Sequence, residues 1–142
     1  MAQNETRRLE GGCLCGAVRY AVRGEPIVVA LCHCNTCRRS AGAPAVAWAM
    51  FPLDAYEILR GERAVYASSK GVARGYCARC GTQLSWEGDV LPGRVDVTLA
   101  SFDDPTALAP TMHIWEKQRL SWLHTTDALP RYPEFPTGPP PA

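Results

Sequence analysis

Seven cysteines fall into three tight groups along this 142-residue chain: Cys13 with Cys15, then Cys32, Cys34 and Cys37, then Cys77 with Cys80. Thiols bunched at C-x-C and C-x-x-C spacing suit a soft divalent metal such as zinc, and they do not suit a disulfide framework. The odd total sharpens the point. A closed tetrahedral site takes four sulfurs and leaves three, the ligand number of a zinc site with one open position. The expectation is two zinc ions per chain, one that holds the fold and a second, labile one that does chemistry.

Strand geometry suggests which thiols share an ion. Residues i and i+2 of an extended segment point the same way, so Cys13 and Cys15 present two sulfurs to one point. Cys77 and Cys80, in a tight turn that Gly81 permits, supply the other half of a closed site. In the middle group Cys32 and Cys34 share one side of a strand end, and Cys37 returns after a turn begun at Asn35. His33 lies between two sulfurs, so it is expected on the opposite face in a structural, hydrogen-bonding role. The open position of the three-thiol site would take water or an incoming thiol, and a metal-bound thiol is held as its thiolate at neutral pH.

The rest of the chain reads as mainly β. Strands are expected at Cys13–Val22, Ile27–Cys32, Ala45–Phe51, Tyr56–Leu59, Ala64–Ser68, Gln83–Trp86, Val95–Leu99 and Met112–Trp115, each bounded by Gly, Pro, Asp or Ser. Single helical turns are expected at Asn35–Ala41 and at Pro105–Leu108, where Asp104 would cap the start. A hydrophobic content of 46% over this length predicts one domain with a real core. The formal net charge of +1 leaves no electrostatic footprint for nucleic acid or an anionic membrane. The opening MAQNETRRLE is polar, and no run approaches the roughly 18 apolar residues of a membrane helix. A cytoplasmic protein with reduced thiols is the corresponding expectation.

Three motifs then carry a resemblance. The segments Gly11–Tyr20 (GGCLCGAVRY), Cys32–Ala43 (CHCNTCRRSAGA) and Tyr76–Leu84 (YCARCGTQL) resemble, in order and spacing, the glutathione-dependent formaldehyde-activating enzyme family, which also includes centromere protein V. Met112–Trp115, Ser121-Trp122 and Asp127–Pro133 are similar to the family's ending, which extends the resemblance to about Pro136. It implies an elaborated all-β zinc-binding domain at 11–136, between a polar segment at 1–10 and a flexible proline-rich tail at 137–142. It also implies a structural zinc on Cys13, Cys15, Cys77 and Cys80, and a catalytic zinc on Cys32, Cys34 and Cys37. The implied activity is that of a carbon-sulfur lyase, in which glutathione adds to formaldehyde to give S-hydroxymethylglutathione.

Further side chains are candidates beside plainer readings. Arg38 and Arg39 could bind a substrate carboxylate and balance the charge of a three-thiolate zinc, or serve only surface packing. His113 could exchange a proton with a hemithioacetal oxygen, or be a buried, hydrogen-bonded core histidine. Trp48, Trp86, Trp115 and Trp122 read as core or pocket wall, and Ser40 and Gly42 as turn formers. Two function classes follow: an enzyme acting on a small thiol and an aldehyde, and a zinc-stabilised protein-binding module without catalysis. The module would call for a basic or proline-rich extension longer than the ten polar residues ahead of Gly11. A redox switch on Cys34 and Cys37 would leave Cys32 without a purpose.

Overall fold

Short apolar runs separated by glycine, proline and acidic turn residues produce the strand-rich fold that the sequence predicts. The computed structural model describes residues 7–136, so the predicted tail at 137–142 lies outside the described residues. In chain order the elements are β1 (Arg8–Gly12), β2 (Arg19–Arg23), β3 (Val28–Cys32), α1 (Asn35–Ala41), β4 (Val46–Pro52), β5 (Tyr56–Arg60), β6 (Ala64–Ser69), β7 (Val72–Tyr76), β8 (Gln83–Gly88), β9 (Arg94–Thr98) and β10 (Met112–Ile114). Short 3-10 turns occupy Leu53–Ala55, Leu99–Ser101 and Glu116–Gln118. No helix among the described residues is long and apolar enough to cross a membrane.

The strands form a three-stranded sheet, ordered β1-β2-β5, and a seven-stranded sheet, ordered β10-β3-β4-β9-β8-β7-β6. Pairing is antiparallel except at one edge, where β10 runs parallel to β3. Alternation along the strands separates two faces. On one, the cross-strand row Val29, Ala49, Val97 and Ser85 packs with Phe51, Val95 and Leu84 against Tyr20 and Val22 of the smaller sheet, and this is the main core. On the other, Cys32, Val46 and Trp48 form a smaller cluster with Cys37 of α1. The second face positions the candidate chemistry.

Several expectations are corrected. The predicted first strand Cys13–Val22 is a hairpin: β1 and β2 pair from Arg8↔Arg23 to Gly12↔Arg19, and Cys13 and Cys15 lie on the turn between them. Gly16, at φ +80°, bends the chain where an extended run was read. Strand β1 thus starts at Arg8, ahead of the first motif at Gly11. Strand β7 was also missed, because Arg74 and Gly75 interrupt its apolar pattern. Pro105–Leu108 is a turn and not a helix. The Asp104 carboxylate accepts from the Thr106 N–H at 3.0 Å and the Thr106 hydroxyl at 2.6 Å, closing a local loop. By contrast, α1 has the bounds expected, Asn35–Ala41, and its seven residues make about two turns rather than one.

One acid in the sheet has a measurable consequence. Asp96 lies opposite both Met50 and Trp86 in the ladder, and burial pushes its carboxyl up to about 7 from an ordinary 3.8. An acid raised in the folded state costs nothing below the unfolded value and destabilises progressively as pH rises from that value to the folded one, above which the cost is constant. Asp96→Asn is therefore expected to stabilise the protein at pH 8 and to change little at pH 4, as read from urea midpoints. The shift corresponds to a gain of up to about 4 kcal/mol, a ceiling because Asp96 is only partly removed from solvent.

Candidate metal centres

Two turns, each closed by a glycine, bring four sulfurs together. In the first, the Gly16 N–H donates to the Cys13 carbonyl at 3.1 Å; in the second, the Gly81 N–H donates to the Cys77 carbonyl at 2.7 Å. Each ends on a glycine in the left-handed region, Gly16 at φ +80° and Gly81 at +81°, which curls backbone around the sulfurs. Thr82 ties the turns together, because its hydroxyl accepts from the Leu14 N–H at 3.0 Å and lies 3.2 Å from the Cys80 sulfur. The Cys80 thiol is pushed down to about 5, first by the Thr82 side chain and then by backbone donors.

The donor set fits zinc. Sulfur separations are 3.6 Å for Cys13 to Cys15 and 3.8 Å for Cys15 to Cys77, against about 3.8 Å for the edge of a tetrahedron whose Zn–S bonds are about 2.3 Å. All seven cysteines are free thiols. The Val18 N–H donates to the Cys13 sulfur at 3.2 Å, the kind of backbone contact that supports a metal-bound thiolate.

The second group forms where β3 runs into α1. The Cys32, Cys34 and Cys37 sulfurs lie within 4.8 Å of one another, and no fourth histidine, cysteine or carboxylate joins them among the described residues. Cys34 occupies the cap position of α1, its sulfur accepting the Cys37 N–H at 3.3 Å. Cys32 and Cys37 are buried and Cys34 is half-buried. Bonds from the Cys32 and Cys37 thiols hold the Cys34 thiol well below the usual range, and the Cys32 thiol is pushed up, first by its hydrogen bonds with Cys34 and Cys37 and then by burial. Three sulfurs this close cannot all ionise unless a cation is shared among them.

The arginine that reaches this group was not singled out in the sequence. Arg74 of β7 is 4% exposed and donates to the Cys37 sulfur from both terminal nitrogens, at 3.7 and 3.6 Å. Arg38 instead donates to Asn35 within α1. Arg38 and Arg39 line a hollow of about 350 Å³ with Gly42, Pro44, Leu120 and Trp122. A larger cleft of about 650 Å³ runs between the four-cysteine turns and the loop after α1, lined in part by Cys13 and Cys80 and by no arginine, lysine, histidine or carboxylate.

His33 and His113 stand apart from the sulfurs. His113 pairs with Leu31 while its neighbour Ile114 pairs with Cys32, so it faces the opposite side of the sheet edge from Cys32. Its Nε2–H donates to both oxygens of Asp127 at 3.0 Å, and its Nδ1 lies 2.9 Å from Nε2 of His33. Both rings are buried, and burial pushes His33 below its ordinary value. Glu116 completes a third group of candidate donors. Its Oε1 already accepts from Arg119 at 3.0 Å and Arg131 at 2.9 Å, and the two rings already bond each other. The His113 ring is held through both nitrogens, whereas Oε2 of Glu116, 3.3 Å from Nε2 of His33, and Nδ1 of His33 are buried with no hydrogen-bond partner among the described residues.

Four and three clustered thiols on a β scaffold define a protein whose two cysteine-rich groups could each hold a metal ion. Residues 8–118 match the family described as glutathione-dependent formaldehyde-activating enzyme, and the chain belongs to that family. An uncharacterized lyase of Schizosaccharomyces pombe is 34% identical over 76 residues, 53% of this chain and 54% of that protein. The chain thus spans about half the length of the curated relative it matches. A crystal structure of a Rhodobacter sphaeroides protein has a similar fold, with a TM-score of 0.55 and 22% identity over 68% of this chain and 89% of that one.

Proposed function

We propose that this chain catalyses the reversible addition of a carboxylate-bearing thiol, glutathione, to formaldehyde. In this reading residues 11–136 act as one zinc domain, with a structural zinc on Cys13, Cys15, Cys77 and Cys80 and a second, more labile zinc on Cys32, Cys34 and Cys37. The observation that carries the proposal is the set of three converging sulfurs with no fourth donor among the described residues, in a chain of this family. When bound, zinc supplies the positive charge that holds an incoming thiol as its thiolate. Cys32 and Cys37, packed against Val46 and Trp48, shield the inner side from water, and Cys34 leaves the outer side open to a ligand. Thiolate attack on the aldehyde carbon forms one C–S bond and opens the carbonyl π bond, and the thiol proton finishes on the new hydroxyl oxygen. Arg38 and Arg39, beside the exposed Trp122, offer paired donors for the thiol's carboxylates. The larger cleft offers no arginine or lysine to a carboxylate, which supports assigning that role to the smaller hollow.

The test is the exchange rate between free formaldehyde and its glutathione adduct, measured by NMR above the spontaneous background. Cys34→Ala should return exchange to background while the protein stays folded and keeps one zinc. Exchange at the wild-type rate in that folded variant would refute the proposal.

A further inference from the structure

Arg74 is a buried cation without an acid. Its donors go to Ser68 Oγ at 3.1 Å, Thr36 Oγ1 at 3.2 Å and the Cys37 sulfur at 3.6 and 3.7 Å. All three are uncharged as ordinarily protonated, and no carboxylate lies within 4.0 Å of the guanidinium among the described residues. Arginine cannot shed its charge in a protein, and burying it unpaired is strongly unfavourable. The ladder explains how it arrives there. Arg74 pairs with Trp86 across β7 and β8 on the face that carries Trp48 and Cys32, so a long side chain from that row can pass beneath α1 to the sulfur.

We propose that Arg74 is the built-in counter-ion of the three-cysteine centre, a positioning residue that holds Cys37 as a metal-bound thiolate and makes the centre's net negative charge tolerable inside the fold. The charges balance: three thiolates around a divalent ion carry one negative charge, and one guanidinium cancels it. This role was expected of Arg38 or Arg39, which point into the hollow beside α1 and make no bond to a triad sulfur among the described residues. The inference rests on the reading that the triad holds a metal, but it does not depend on which reaction follows.

The experiment loads the full chain with zinc and titrates it with a chromogenic chelator, counting ions by native mass. The ion on Cys13, Cys15, Cys77 and Cys80 serves as an internal reference. Arg74→Met is expected to weaken the second zinc by about 10–100-fold and leave the first unchanged, the usual effect of losing a partner behind a metal ligand. Arg74→Lys, which restores the charge with fewer donors, should recover a large part of that loss. A second zinc held as tightly in Arg74→Met as in wild type overturns the inference, whereas a wild-type protein that binds only one zinc overturns the metal reading beneath it. If Arg74→Met does not fold, a comparison of Cys37→Ala with Cys34→Ala decides. Losing Cys37 strands the guanidinium and should lower the urea midpoint more; equal midpoints overturn the proposal.

Discussion

Cys77→Ser should leave a chain that fails to hold its fold at ordinary temperature, with the cooperative melt seen by circular dichroism lost and both zinc ions released. The four-sulfur site is closed, and it joins segments far apart in sequence: the Cys15 and Cys77 sulfurs lie 3.8 Å apart across 62 residues of chain. Apparent binding energies of structural zinc reach about 10–16 kcal/mol in zinc-finger peptides, against about 5–15 kcal/mol for the net stability of a whole domain. Cys77 is 1% exposed and packs into the main core with Cys13, so weakening the site also loosens apolar contacts around it. Chelation of the wild type should then proceed in two stages, the three-cysteine ion leaving while the melt persists and the four-cysteine ion taking the fold with it. A Cys77→Ser melt that matches wild type would mean that the turns hold without a metal.

The second large effect belongs to His113→Ala, expected to lower stability by about 3–5 kcal/mol, the range for truncating a large buried side chain and stripping its partners. His113 is 1% exposed and joins three elements: β10 that carries it, His33 just beyond β3, and Asp127 in the C-terminal segment. Because an ionised Asp127 only accepts, the Nε2 proton belongs to that bond, which leaves Nδ1 to accept from His33. Removing the ring leaves Nε2 of His33, in a fully buried position, with only Oε2 of Glu116 at 3.3 Å beside it. For a chain of this size the expected melting shift is on the order of 10 °C. Asp127 is far more open to solvent than the ring it holds, so Asp127→Asn should have a much smaller effect. Equal melting temperatures for His113→Ala and wild type would show that the network contributes nothing.

The partition of seven thiols into four and three was legible because sulfur spacing is a local property. The structure gathers the same groups, but on turns where a strand was read for Cys13 and Cys15. The misreading has a specific source: alternation of Cys13, Cys15 and Ala17 imitates a strand, and Gly16 between them breaks it. Arg74 stayed invisible because its partner, Cys37, lies 37 residues away, and within Val72–Tyr76 it looks like an ordinary polar interruption. A charged residue in a short strand just ahead of a cysteine pair was the only signal. The His33–His113 bond likewise depends on the parallel register of β10 on β3, a contact between residues 80 apart that no local pattern encodes.

The sulfurs are not equally sheltered. Cys15 stands exposed on its turn beside Leu14, which is 89% exposed, while Cys32 and Cys37 are buried among Val46 and the tryptophans. An oxidant or alkylating agent arriving from solution therefore meets the brace before it meets the pair of inner sulfurs. Damage at Cys15 would show itself as loss of the fold, while damage at Cys34, the half-buried and more acidic sulfur of the other group, would leave molecules that are intact but inactive.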